Sequence, residues 1–211
     1  MKIAIYGSGG TLGQRIIKEA QSRGHQVTAV ARDPAKLKDV DKSVKVVKGD
    51  VTDVASVAAA VVGHDAVINS VGPNSNTAPT VYVEAAHALL TGLKQADVKR
   101  LIVVGGAGGL EVAPGVLLKD LPNFPAFIVP ISTAHLEALK IYQTSDLDWT
   151  WVSPAAMIEP GERTGTYRVG NVKMLVDAKG ESRISTEDYA VALIDELENP
   201  KHIRQRMTVA Y

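Results

Sequence analysis

The densest chemical signal in the chain is Gly7-Ser8-Gly9-Gly10-Thr11-Leu12-Gly13, which fits Gly-x-x-Gly-x-x-Gly at positions 7, 10 and 13. In such a run the first glycine permits a tight turn. The second lets the main chain approach a pyrophosphate, and the third lets a helix pack closely on a sheet. The free amides of the helix that follows, with the positive end of its dipole, would face phosphate oxygens, and Thr11 can add a hydroxyl. Glycine spacing alone is a weak signal. It gains weight only if a strand ends before Gly7 and a helix opens after Gly10.

Three later positions extend the same reading. About 20 residues past the glycines, where the adenosine ribose of a dinucleotide is read, stands Ala31-Arg32-Asp33. Arg32 would offer a planar cation to a 2′-phosphate, which favours NADP with NAD possible; the alternative is a solvated surface charge beside an NAD site. Asp33, just before Pro34, is explained as a helix cap. Farther on, Asp50 could accept from an adenine amino group and Val51 could pack on the ring, although an aspartate here could also cap the next helix, a role Thr52 or Asp53 fills as well. Ser70, Val71 and Gly72 would pass along the ribose and nicotinamide, and Leu12 of the glycine turn is expected among the cofactor-binding residues.

These residues need a parallel sheet to bring them together, and the pattern supplies one. Short β-branched runs at 2–6, 26–31, 44–47, 66–69, 101–104 and 149–152 read as strands buried on both faces. Helical periodicity occupies 11–23, 54–62, 80–95 and 133–144, with a short helix starting at Pro34. The alternation predicts right-handed βαβ crossovers and an α/β, Rossmann-type, doubly wound parallel sheet with helices on both faces. After Val104 it loosens into Gly105-Gly106-Ala107-Gly108-Gly109 and a proline-bearing stretch to Pro130, read as a long functional loop. The tail adds short strands at 166–169, 183–185 and 206–210 and a helix over 186–198 with Thr186 as its N-cap. One domain over 1–211 is expected, with 154–185 as a small C-terminal, substrate-side cap.

Composition narrows the chemistry further. The chain has 211 residues, 23 Lys+Arg against 23 Asp+Glu, and no cysteine. A chain of this length buries roughly 70% of its unfolded surface, so it needs no staples. Lack of cysteine excludes disulfides, thiolate metal sites, iron–sulfur clusters and thiol nucleophiles. Zero net charge without a basic run argues against nucleic acid as a partner. No apolar run approaches the ~20 residues of a membrane span, and glycines interrupt the apolar N-terminal stretch where a signal peptide would lie. The expectation is a cytoplasmic monomer or homodimer acting on a small molecule. His25, His64, His87 and His202 show no ligand spacing, so no metal is expected.

Taken together, the glycine turn, Ala31-Arg32-Asp33, Gly49-Asp50, the run Val103 to Gly108, Asp148-Trp149-Thr150, Ser153-Pro154-Ala155, Pro160 to Gly165 and Ile184 to Ala190 resemble the short-chain dehydrogenase/reductase superfamily. The resemblance covers essentially the whole chain. It is to the atypical, NmrA-like branch, and within it to small bacterial proteins provisionally called NADH-flavin reductases, relatives in fold of biliverdin reductase B. It implies a nicotinamide-binding redox protein.

That superfamily usually reduces carbonyls with a Tyr-x-x-x-Lys pair and a nearby serine, the tyrosine delivering a proton as hydride arrives. Four residues beyond each tyrosine stand Gly10, Ala86, Asp146, Asn171 and Leu193, and Tyr211 ends the chain, so the pair is missing. On the helix that would carry it, His135 is the nearest candidate acid, the alternative being a helix histidine without catalytic role. Hydride transfer to a flavin or quinone needs no such acid, because solvent can protonate the delocalised product. The expected function is therefore an NAD(P)H-dependent reductase of a flavin or quinone-like planar acceptor, with flavin as substrate rather than prosthetic group. The alternative is a non-catalytic NmrA-like sensor of dinucleotide. The acceptor platform is expected from Pro73, the loop 105–110 with Leu110, and Pro154, Ala156 and Met157. Arg163 could meet an anionic group at the cleft mouth or serve as an ordinary loop charge.

Overall fold

The computed structural model describes residues 1–37, 40–72 and 78–211. Its elements run β1 (Lys2–Tyr6), α1 (Thr11–Ser22), β2 (Gln26–Ala31), β3 (Lys45–Lys48), α2 (Val54–Val61), β4 (Ala66–Asn69), α3 (Val81–Gln95), β5 (Arg100–Val104), β6 (Glu111–Ala113), β7 (Val116–Leu117), α4 (Val129–Gln143), β8 (Asp148–Ser153), β9 (Met157–Glu159), β10 (Arg168–Gly170), β11 (Arg183–Ser185), α5 (Thr186–Glu198) and β12 (Gln205–Ala210). Eight of these strands form one sheet in the order β10-β12-β8-β5-β4-β1-β2-β3. Every pairing in it is parallel except that of β10, which runs against β12. This is a Rossmann-like α/β fold.

Strand alternation divides the core in two. Ile3 and Ile5 of β1 face one side, where they meet Ile16 and Ile17 of α1 and Leu193, Ile194 and Leu197 of α5. Ala4 and Tyr6 face the other, against Val57 and Val61 of α2, Leu89 and Leu93 of α3 and Leu139 of α4. Each large aliphatic side chain so buried contributes about 1.5–3 kcal/mol, and period-two alternation in β1 lets one strand hold both helical layers.

Five local expectations are corrected. The third strand is not buried on both faces: β3 has a single neighbour at the sheet edge, and three of its four residues are exposed. Helix α4 starts at Val129, a turn before the expected 133, because Pro130 sits in its first turn, where a missing N–H costs nothing. The hydroxyl that caps α5 is Ser185, accepting from the Asp188 amide at 2.9 Å, and not Thr186. The stretch after Gly109 is less irregular than expected, since β6 and β7 pair as a short antiparallel ladder. The strand expected at 166–169 lies at 168–170.

The site is positioned by one property of the sheet order. Connections from β1 lead outward to β2 and β3 on one side, while β4, β5 and β8 extend on the other. Between β1 and β4 the winding reverses, so the loops leaving their carboxyl ends part and open a crevice.

Candidate functional site

That crevice is a cleft of about 600 Å³. Gly7, Gly9, Gly10, Thr11, Leu12, Arg32, Asp50, Val51, Ser70, Val71 and Gly72 all line it, joined by Tyr6, Ser8, Val30, Ala31, Gly49, Thr52 and Val81, which the motif did not single out. Gly13 alone among the expected dinucleotide positions does not line it. Its part is structural: a Cβ there would stand 2.1 Å from the Gly7 carbonyl oxygen, so only glycine lets α1 close onto the turn. Gly7 has φ +77°, and its Cβ would fall 2.5 Å from the Ser70 carbonyl. Hydroxyls fasten the turn to the sheet, Ser8 donating to the Val30 carbonyl at 2.9 Å and Ser70 to the Tyr6 carbonyl at 2.6 Å.

Helix α1 begins without a side-chain cap and without an acid in its first turn. Its first amides, at Thr11, Leu12 and Gly13, therefore keep their donors for another partner, and the helix dipole makes an anion the favoured one. An uncapped helix start beneath a glycine turn fits a dinucleotide pyrophosphate.

At the β2 and β3 end, Arg32 is exposed on the cleft wall, and Asp33 accepts from the Ala35 amide at 3.2 Å to start a short 3-10 turn. Asp50 is not a helix cap. Asp53 caps α2, accepting from the Ser56 amide at 2.6 Å, while one Asp50 oxygen accepts from the amide and hydroxyl of Thr52 at 3.0 and 2.8 Å. Burial and the nearby Asp50 charge push the Tyr6 phenol up, so it stays protonated, and its hydroxyl has no partner among the described residues.

At the other end, beyond β4 and β5, the cleft is lined by Ser70, Val71, Gly72 and Val81, and aromatic side chains stand next to Gly72. The Tyr82 hydroxyl lies 3.2 Å from where a Cβ of Gly72 would be. The Tyr82 ring meets His135 edge-on with centroids 3.7 Å apart, and His135 meets Trp151 at 5.6 Å. His135 is 7% exposed, its Nδ1 has no partner among the described residues, and burial pushes its pKa down to about 3. As an imidazolium donor at neutral pH it is therefore corrected: the ring is neutral and lies behind Tyr82.

The expected acceptor platform is only partly assembled. Leu110 is wholly buried and offers no surface to a ligand, and Pro154 is buried as well. Ala156 and Met157 are exposed, but Met157 lines a separate cleft of about 360 Å³ with Glu159, Pro160, Arg183 and Tyr211. Pro73 lies outside the described residues. The glycines at 105, 106, 108 and 109 do not widen the cleft; their missing side chains are replaced by Trp151, His135, Ser132 and Leu136, all within 2.1–2.8 Å of the would-be Cβ atoms.

Carboxylates hold the segment after Pro160. Arg163 makes two bonds to Glu19 at 2.7 and 2.8 Å, so it is a structural tie and not an ordinary loop charge. Asp188 accepts from the Thr164 hydroxyl at 2.6 Å and the Gly165 amide at 2.7 Å, and Glu187 accepts from the Gly161 amide at 2.8 Å and Arg15 at 2.6 Å. Burial alone would raise the Glu187 pKa, but the Gly161 amide, Arg15 and Thr186 together hold it down at about 2.

No described helix is long and apolar enough to cross a membrane. Among the described residues no cluster of His, Asp and Glu could hold a metal ion.

Known proteins share this fold. The NAD(P)H-binding family model matches residues 7–200. A solved structure from Burkholderia pseudomallei is 47% identical, covers all of both chains and superposes with a TM-score of 0.92. One from Bacteroides thetaiotaomicron is 42% identical over all of this chain and 96% of its own, with a TM-score of 0.90. A third, from Streptococcus pneumoniae, is 32% identical over all of this chain and 99% of its own, with a TM-score of 0.88. Their provisional names differ, respectively an exported protein, an epimerase and an NADH-flavin reductase. Because the family model matches most of the chain, residues 7–200, the chain belongs to the NAD(P)H-binding family, with a nicotinamide dinucleotide as its cofactor.

Proposed function

We propose that the protein is an NAD(P)H-dependent oxidoreductase that passes hydride to a flavin or a quinone-like planar acceptor, with NADPH the preferred donor and flavin a substrate that comes and goes. The observation that carries this reading is the state of the two titratable side chains beside Gly72 and Gly106. His135 is held neutral by burial, and burial raises the Tyr82 phenol above its ordinary value. Neither gives up a proton readily near neutral pH. Such a site serves an acceptor whose reduced form takes its proton from water, and serves a ketone, whose alkoxide needs an acid at hand, poorly. The same two side chains count against an epimerase.

When bound, the reduced nicotinamide supplies the hydride. The chain's own part is to hold and orient. Gly9, Gly10 and the first amides of α1 grip the pyrophosphate, Arg32 meets a 2′-phosphate, Asp50 and Val51 take the adenine, and Ser70 to Gly72 guide the nicotinamide half. Holding two flat rings in near-attack geometry is worth several kcal/mol of barrier, which such a reaction largely needs. In this reading 154–185 is the substrate-side cap, the protein works in the cytoplasm as a monomer or homodimer, and neither nucleic acid nor membrane is a partner.

Steady-state oxidation of NADPH with FMN, riboflavin and menadione tests the reading. Turnover with at least one acceptor, faster from NADPH than NADH, is expected. Tight NADPH binding with no turnover on any acceptor would leave a dinucleotide sensor instead.

A further inference from the structure

Tyr82 lies in the first turn of α3, one residue past Val81 in the cleft wall. Gly72 lines the cleft, and the Tyr82 hydroxyl stands beside it, 3.2 Å from where a Cβ would be. It makes no hydrogen bond within the described residues. The hydroxyls of Tyr6 and Tyr142 are sealed from solvent, whereas Tyr82 is only half-buried as a residue.

The ring that carries it is fixed from behind. Tyr82 stands edge-on to His135 at 3.7 Å and 69°, and His135 stands edge-on to Trp151 at 5.6 Å and 84°. Trp151 is 2% exposed in β8 and presses on Gly105, and His135 presses on Gly106. Three rings thus run from the core toward Gly72 and end in one hydroxyl. Edge-to-face packing of this kind gives such a row a preferred geometry.

We propose that Tyr82 sets acceptor specificity: its hydroxyl donates a hydrogen bond to a carbonyl oxygen of the planar acceptor at the Gly72 end of the cleft. This rests on the hydride-transfer reading above. A carbonyl conjugated with the ring that takes the hydride gains negative charge as it is reduced, so a donor fixed toward it binds more strongly as the reaction advances. No bond to Tyr82 is made or broken, and the proton for the product comes from water. Burial keeps the phenol protonated and hence a donor at every physiological pH.

The test is Tyr82→Phe in the full chain, which keeps the row of rings and removes only the oxygen. Menadione, a quinone with two carbonyls, is compared with methylene blue, a planar hydride acceptor that has none. Calorimetry adds a readout independent of turnover, through menadione binding to NADP+-loaded protein and NADPH binding to free protein. Loss of one neutral hydrogen bond should raise the menadione KM and Kd about three- to tenfold. Methylene blue kinetics and the NADPH Kd should stay within about twofold. Equal losses on both acceptors would overturn the proposal. So would weakened NADPH binding with menadione affinity unchanged, which would assign the hydroxyl to the nicotinamide carboxamide. If the unmodified protein reduces no acceptor, FMN and riboflavin included, the hydride-transfer reading fails by itself, and calorimetry still decides Tyr82, with unchanged menadione affinity overturning its role.

Discussion

Two glycine-rich turns leave carboxyl ends of the same parallel sheet, Gly7 to Gly13 after β1 and Gly105 to Gly109 after β5, and they do opposite things with their missing side chains. In the first, Gly9 and Gly10 have only single neighbours at 3.3 Å from a would-be Cβ, and both line the cleft. Space is kept there for something outside the chain. In the second, buried side chains of β8 and α4 fill that space, Trp151 standing 2.1 Å and Ser132 2.2 Å from where Cβ atoms at 105 and 108 would be. Nothing in composition separates a turn that admits a ligand from one that admits a helix. The difference lies in what the fold sets opposite each one.

Substitutions can separate the two turns. The largest effect is expected from Gly13→Ala, because the obstacle is main chain, the Gly7 carbonyl at 2.1 Å, and cannot move aside. Thermal and urea unfolding should register a loss of about 3 kcal/mol or more, with dinucleotide binding abolished. Next comes Gly105→Ala, whose methyl meets the buried Trp151 indole. Overpacking should cost about 1–3 kcal/mol while the folded protein keeps its NADPH affinity within about twofold. A comparable loss of affinity would mean that the second turn also touches the ligand.

Gly10→Ala should invert that result. Its methyl meets little protein, so stability should change by no more than about 1 kcal/mol, yet it stands where a pyrophosphate approaches, and NADPH affinity should fall about tenfold or more by calorimetry. Arg32→Ala leaves both turns intact. It should weaken NADPH about five- to tenfold and NADH by less than twofold, as loss of a charge-assisted contact to the 2′-phosphate requires; equal losses would mean that Arg32 does not read that position.

The smallest effect separates both turns from the segment after Pro160. Main chain and apolar packing hold the turns, whereas Glu187 helps to hold Gly161 with a pKa lowered from 4.5 to about 2. A lowered folded-state value means that its stabilisation is complete above about pH 4.5 and is lost as pH falls from there toward 2. Unfolding at pH 5 and pH 3 should therefore show a loss of stability that Glu187→Gln reduces, while amide exchange at Gly10 to Gly13 changes less than at 161–165.

The β1-to-β4 half was legible because it obeys local rules. Alternating β-branched runs, a glycine turn at fixed spacing and Asp53 before a helix each act within a few residues, so neighbours in sequence carry the signal. Tyr82 was not legible by the same means. A search for Tyr-x-x-x-Lys passes over it, since Ala86 stands four residues on, and only the folded chain sets its hydroxyl beside Gly72, 3.2 Å from where a Cβ would be. Leu110 shows the converse. It stands next to a glycine run where a ligand contact was expected, yet long-range packing leaves it wholly buried.

Sequence alone thus determined the parallel sheet, the dinucleotide turn and the positions along β1, β2, β3 and β4 that face it, because strand period and helix capping are short-range. Tertiary structure decided what stands opposite: that His135 is neutral behind Tyr82, that Arg163 ties to Glu19 across the fold, and that the second glycine run is packing. Those outcomes depend on burial and on contacts between residues far apart in the chain, and no local pattern encodes how much water or which side chain will occupy a given space.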